Sequence, residues 1–284
     1  MIIFQVVKPG VWLDGIADRQ TSFNIENLIR NLIDVFYEAN LSLNLFNEEM
    51  DSFRQRMELR TTLSHELMHS KFEQERAEDE LIYGELEKEF ALDGKEFNRY
   101  SNDVQTLFKL RKDIKAFDRG NIPREFSDKK KFLYAKSFLF ALDSFDRFLG
   151  VLSKENGAPN SLTSIHNRIN QEFPGLRGVR NSTHHLEDRS RGLGDFDRKT
   201  KKMKVLQLKP ITNSAINAPL GNALILNSFF GTKYSCTMAD GHLGEVDVSA
   251  ESLSKVHKIL SDTLSSFSWK GSPEIYPNPD FRYN

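Results

Sequence analysis

The sequence predicts a mainly α protein: a helical bundle followed by a small antiparallel β-meander and a C-terminal helix. Three observations predict it. From about Ser22 to Leu152 apolar residues recur at intervals of three and four with little Gly or Pro between them, which is the pattern of consecutive helices. Beyond residue 200 short β-type runs alternate with Gly turns. After Ser249 the helical spacing returns. The meander is too small to stand alone, so the expectation is one mainly helical domain over 1–284. Within it the bundle occupies 22–200, and the meander with its terminal helix occupies 222–267.

In chain order, Phe46, Met50, Phe53 and Met57 step by four, three and four and form one stripe of a long helix that continues through His65, for core or dimer packing. Segment 71–99 is dense in Glu and Lys, with Gly84 and Gly94 as candidate breaks, and reads as a solvated helical face. DRGNIPREFSD (118–128) reads as a loop, with Pro123 closing one helix and Ser127 or Asp128 capping the next. That next helix runs to Leu152 and carries Ala135, Leu139, Leu142, Phe145 and Leu149 on one stripe, as a central bundle helix should. A helix over 162–172 ends at Phe173-Pro174-Gly175, and another over 176–191 stops at Gly192 and Gly194. DFDRKTKKMK then reads as a polar connector. LILNSF (224–229), KYSCTM (233–238) and GEVDV (244–248) read as the meander, joined by turns at Gly231 and Asp240-Gly241. Ser249 caps a last helix, roughly 250–267, with Leu253, Val256, Leu260, Leu264 and Phe267 on one side, and the tail reads as irregular.

Composition narrows the function. Lys plus Arg number 39 against 40 Asp plus Glu, so no global charge steers the chain to nucleic acid or an anionic membrane, and any basic site must be local. A single cysteine, Cys236, excludes an intramolecular disulfide and a cysteine-rich zinc site. The start lacks the charged and apolar regions of a secretory signal. The most apolar stretch, 132–152, contains Lys136, Asp143, Asp146 and Arg147, which are costly in lipid, so no membrane partner is expected. These features predict a soluble cytoplasmic protein.

Two histidine clusters compete for chemistry. HELMH at 65–69 sets His65 and His69 one helical turn apart, where both could bind a zinc whose water Glu66 would activate, with Glu89 as a third ligand oriented by Asp93. This resembles the arrangement of thermolysin-like zinc peptidases. Against it, Glu is so frequent between 73 and 96 that the offset of Glu89 carries little information, and Lys71 occupies a position that zinc helices usually fill with an apolar side chain.

The second cluster is RNSTHH, residues 180–185. Leu176, Val179, Thr183 and Leu186 step by three, four and three as a buried stripe, which leaves Arg177, Asn181, His184, His185 and Asp188 on the polar face. Arginine can hold a phosphodiester and stabilise developing charge, while an imidazole titrating near neutrality can move the proton of a ribose 2′-hydroxyl or of a leaving oxygen. That chemistry needs no metal and no cofactor.

At Arg180-Asn181-x-x-x-His185 the sequence resembles the HEPN (higher eukaryotes and prokaryotes nucleotide-binding) superfamily, whose helical domains include many metal-independent endoribonucleases. The apolar helix at 132–152 before the motif helix is similar to that fold, as are the flank LRGVRNSTHHLEDR and the segment CTMADGHLGEVDVS with its following helix. The resemblance covers about 130–267. It implies that Arg180 contacts the scissile phosphate, that His185 is the general acid or base, and that Asn181 helps to position His185. Arg177 and Arg189 become candidate substrate-binding residues, with surface salt bridging as the alternative for Glu187, Asp188 and Arg189. Spacing alone does not separate His184 from His185, although the Arg-x4-His interval favours the latter. The resemblance further implies an RNA substrate, a homodimer in which two motifs face one cleft, a role as toxin or defence effector, and an antitoxin or other protein partner. The alternative within the same family is a non-catalytic module that binds RNA, a nucleotide or a protein through the same face.

Overall fold

A computed structural model describes residues 1–62, 65–213 and 216–278, with side chains at all of them except 59–62, 65 and 66. Helices make up 57% of the structure and the strands form only small antiparallel pairs, so the mainly α class holds. None of the described helices is long and apolar enough to cross a membrane. The chain divides into two compact units, one of Met1–Asn47 with Phe132–Asn284 and one of Glu48–Lys131.

Strands β1 (Val6–Lys8) and β2 (Trp12–Leu13) precede the long helix α1 (Arg19–Thr62), followed by α2 (His65–Leu92), α3 (Asn102–Asp118) and α4 (Arg124–Leu152). Next come α5 (Ser161–Glu172), α6 (Leu176–His184), α7 (Leu186–Ser190) and the hairpin β3 (Leu193–Asp197)–β4 (Lys202–Val205). A second small pair, β5 (Ile211–Thr212) and β6 (Asn217–Ala218), leads to the meander β7 (Ser228–Phe230), β8 (Lys233–Thr237) and β9 (Leu243–Asp247). Helix α8 (Ala250–Ser265) and strands β10 (Trp269–Lys270) and β11 (Glu274–Tyr276) close the order.

In the first unit α1 buries Ile25, Ile29, Leu32, Phe36, Leu43 and Phe46, a three-four stripe facing the core. From α4 all five residues of the expected stripe are buried, together with Phe138. Each such side chain contributes roughly 1.5–3 kcal/mol by leaving water. The apolar sides of α5 and α8 pack together, and Ser249 caps α8 as expected, its hydroxyl accepting from the Ser252 amide at 3.2 Å. Sheet order β7-β8-β9 is the expected meander, in register Tyr234 to Val246 and Cys236 to Gly244, although its first strand is Ser228–Phe230 rather than 224–229. Its connecting turn needs glycine at 241: φ is +88°, and a Cβ there would sit 1.8 Å from the Gln207 carbonyl oxygen.

Several expectations are corrected. The tail is not irregular, because β11 pairs with β1 (Val6 opposite Tyr276) and β10 pairs with β2 (Trp269 opposite Leu13). DFDRKTKKMK is a β-hairpin rather than a connector, its Lys201 in the left-handed region at φ 52°. Pro123 opens α4 instead of closing the helix before it, its carbonyl accepting from the amides of Phe126 and Ser127 at 3.0 Å. Whether the long helix continues through His65 falls on residues 63 and 64, which lie outside the described residues between α1 and α2. On the Phe46 stripe, expected for core or dimer packing, Phe46 is in the core whereas Met57 is exposed.

The second unit is thinner. Ile82 and Leu86 of α2 and Val104 of α3 make its buried centre, and Tyr83, Phe90, Phe97 and Phe108 pack around them. Tyr83 stacks on Phe108 with ring centroids 4.2 Å apart. Ion pairs tie α2 to α3, among them Lys112–Asp79 at 2.7 Å, Lys115–Glu85 at 2.9 Å and Arg119–Glu78 at 2.8 Å. Gly84 lies within α2 without breaking it, whereas Gly94, at φ 66°, follows its end.

Candidate functional site

The motif helix is positioned by what it buries. Val179 and Thr183 of α6 lie on the meander, where the Cys236 thiol donates to the Val179 carbonyl (3.7 Å) and the Thr183 hydroxyl to Tyr234 Oη (3.2 Å). Gly244 makes the close approach possible, since a Cβ there would meet Val179 Cγ2 at 2.6 Å. Burial pushes the Cys236 thiol up to about 11 and the Tyr234 hydroxyl up to about 12, so both stay protonated at neutral pH.

The expected single helix over 176–191 is instead two. α6 ends at His184, His185 adopts a non-helical conformation (φ −112°, ψ 47°), and α7 begins at Leu186. The break leaves the two imidazoles in edge contact, ring centroids 5.4 Å apart, but turns them to different surroundings. His184 meets Phe140 of α4 edge-on with ring centroids 6.1 Å apart, while His185 turns to a cavity of about 490 Å³ beside the β3–β4 hairpin. Asn181, Asp188, Phe196 and Met238 also line that cavity; Arg180 and His184 do not. Both histidines are exposed.

Arg180 is half-buried. Its Nη2 donates to the buried Asp143 carboxylate of α4 at 2.5 Å, and its Nη1 donates to Asn181 Oδ1 at 2.9 Å. Asn181 therefore positions Arg180 through its side chain, whereas it meets His185 through the backbone, the His185 amide donating to the Asn181 carbonyl at 3.0 Å. The same Asp143 oxygen accepts from Arg147 at 2.8 Å, and Arg177 lies close enough to act on the carboxylate. Burial pushes the Asp143 carboxyl above its usual value, with Arg147 and Arg177 opposing that rise. Three arginines thus act on one carboxylate. Arg180 Nε is buried with no hydrogen-bond partner among the described residues.

Arg189 lines the same cavity as His185 and is also a structural anchor. It is 4% exposed, and its Nη1 donates to the carbonyls of Leu193 and Gly194, with Nε reaching Ser182 Oγ at 3.4 Å. It ties α7 to β3 and the end of α6. Asp188 pairs with Arg191 at 2.6 Å. His185 Nδ1 stands 3.5 Å from Glu187 and 3.9 Å from Asp188; donor atoms of these three residues lie within 4.8 Å of one another, the one group among the described residues placed to share a cation.

Asp143 and Arg147 were not singled out as site residues by the sequence. The available signal was an acid adjoining the apolar stripe of a central helix, one turn before an arginine. At the other histidine cluster, the His65 side chain lies outside the described residues, and His69 Nδ1 stands 3.6 Å from Glu73. Glu89 pairs with Arg111 and sits twenty residues along the same helix α2, about 30 Å from His69 at 1.5 Å per residue, so it cannot complete a zinc site with His69.

The chain matches no known family model, no curated protein and no solved structure.

Proposed function

We propose that the protein is a metal-independent endoribonuclease of HEPN type, acting in the cytoplasm as a homodimer. The observation that carries the reading is the cluster of Arg147, Arg177 and Arg180 about the buried Asp143, flanked by two exposed imidazoles at the end of α6. Arg180 holds the scissile phosphate, kept in place by Asp143 and Asn181, and Arg177 and Arg147 add phosphate contacts. His185 takes the proton of the ribose 2′-hydroxyl or supplies one to the leaving oxygen. The 2′-oxygen attacks phosphorus, the bond to the 5′-oxygen breaks, and the ends are a 2′,3′-cyclic phosphate and a 5′-hydroxyl. A second copy encloses the polar face as a cleft, and a neutralising partner such as an antitoxin fits a toxin or defence role.

Incubation of purified protein with RNA in EDTA tests this. Cleavage is expected to persist and to leave cyclic ends, with Arg180→Ala and His185→Ala each lowering the rate by about 10²–10⁴-fold, the usual range for losing acid-base assistance. Asn181→Ala should lose less. A larger loss at His184→Ala than at His185→Ala would move proton transfer to the imidazole beside α4. Cleavage abolished by EDTA yet indifferent to Arg180→Ala and His185→Ala would defeat the proposal.

One observation favours a second reading. The fork of Arg180 is already engaged by Asp143 and Asn181, which suits a rigid surface that binds RNA, a nucleotide or a protein without cutting it. Retention of RNA in a mobility-shift assay without cleavage, lost in Arg147→Ala and Arg177→Ala, would select that reading.

A further inference from the structure

We propose that a second cavity, formed between α1 and the strand pairs β1–β11 and β2–β10, binds a zwitterionic small molecule with a bulky apolar or aromatic body, of the class of free α-amino acids. The cavity holds about 490 Å³, within the range of small-molecule sites. Its floor is one stripe of α1: Glu26, Ile29, Arg30, Ile33, Asp34 and Tyr37 recur at three-four spacing. Lys8, Trp12, Trp269, Glu274 and Tyr276 of the two strand pairs line the rest of it.

Most polar groups of this lining are consumed in building it. Lys8 Nζ donates to Glu274 at 2.7 Å and to the Val11 carbonyl at 2.9 Å, and it lies over the Trp269 ring at 5.3 Å. Glu26 accepts from the Leu13 amide at 3.0 Å, and the Trp269 indole donates to the Leu264 carbonyl at 2.7 Å. Besides the indole N–H of the exposed Trp12, three groups are left over. Tyr37 Oη is buried with no hydrogen-bond partner, and Arg30 and Asp34 make no hydrogen bond or ion pair among the described residues. Arg30 and Asp34 are one turn apart on an exposed edge of the stripe, yet they do not pair with each other.

Those leftovers define the ligand. Arg30 seeks an anion, Asp34 a cation and Tyr37 an acceptor, above a floor of Ile29 and Ile33 between two indoles. An ammonium and a carboxylate on one small molecule answer both charges at once, and an apolar side chain fills the interior. A phosphorylated ligand is disfavoured: Lys8 is neutralised by Glu274, so a phosphate would find Arg30 alone against Glu26 and Asp34.

The chain has two tryptophans and both line this cavity, so intrinsic fluorescence reports on it selectively. L-phenylalanine, itself silent at tryptophan wavelengths, should give a saturable change, while phenethylamine and 3-phenylpropionate, each lacking one charge, should bind about tenfold more weakly or worse. Arg30→Met and Asp34→Asn should leave the emission of the free protein unchanged and each reduce L-phenylalanine affinity by about the same factor; Tyr37→Phe should weaken it severalfold. Equal binding of all three probes, no response at millimolar L-phenylalanine, or indifference to Arg30→Met would overturn the proposal, as would tighter binding of adenosine monophosphate.

Discussion

Phe138 and Leu86 are both fully buried residues of long helices, yet their surroundings differ. Phe138 belongs to a unit in which dozens of apolar side chains from α1, α4, α5, α6, α8 and the meander are buried. Leu86 shares its buried centre with Ile82 and Val104, and beyond them the contact between α2 and α3 becomes a ladder of exposed ion pairs. Exposed pairs individually contribute little and are screened by salt. The first unit therefore owes its stability to burial. The second depends on a small cluster whose helix register is assigned by charge: a slip of one residue would break Lys112–Asp79, Lys115–Glu85 and Arg119–Glu78 together.

The largest effect that could break this contrast is Phe138→Ala. A cavity of that size typically costs about 3–5 kcal/mol, and a thermal melt should show the main transition falling sharply; an unchanged melting temperature would mean that the first unit is not governed by its core. Leu86→Ala should cost about 2–5 kcal/mol, but locally. Hydrogen exchange should show amides of 78–119 losing protection while those of α4 and α8 keep theirs.

Acid should separate the units more gently. Hydrogen bonds from Arg99 and Lys115 hold the Glu80 and Glu85 carboxyls below their ordinary value of 4.5. A carboxylate with a depressed folded-state pKa contributes its stability above the unfolded value, and the contribution is lost as pH falls through the folded one. Exchange protection in α2 and α3 should thus decline below about pH 4.5 before that of α4, and molar salt at neutral pH should act in the same direction. Smallest is the expected behaviour of Cys236: its buried thiol, pushed up to about 11, should resist alkylation at neutral pH until the first unit opens, at any salt concentration that loosens the second. Rapid modification under native conditions would contradict the packing of α6 on β8.

What was legible in the sequence was what repeats locally. The α4 stripe, the Ser249 cap and the meander turns each announce themselves within a few residues, through periodicity, a capping hydroxyl and glycine. The strand pairs β1–β11 and β2–β10 have no such signal, because two or three residues are too few to show alternation and the partners lie more than 250 residues apart. At the site, the polar face of the motif helix followed from its buried stripe, but its consequences did not. Arg189 reads as a surface cation until the chain turns back at Gly192 and brings two carbonyls to it. The pairing of Arg180 with Asp143 spans 37 residues, and the break at His185 follows from no helix-breaking residue. Long-range partners, not residue types, decide which cations are free.

Because the first unit is assembled from both sides of an inserted segment, the order in which the chain leaves the ribosome has a bearing on its life. Residues 48–131, whose described part has its own small buried centre, are made long before β10 and β11. The early part of α1 must wait, with Ile25, Phe36 and Phe46 uncovered, until more than a hundred further residues have been synthesised. Non-local pairing of this kind slows the final step and prolongs exposure of apolar surface. Nascent chains arrested before residue 269 should accordingly be the species that chaperones hold longest.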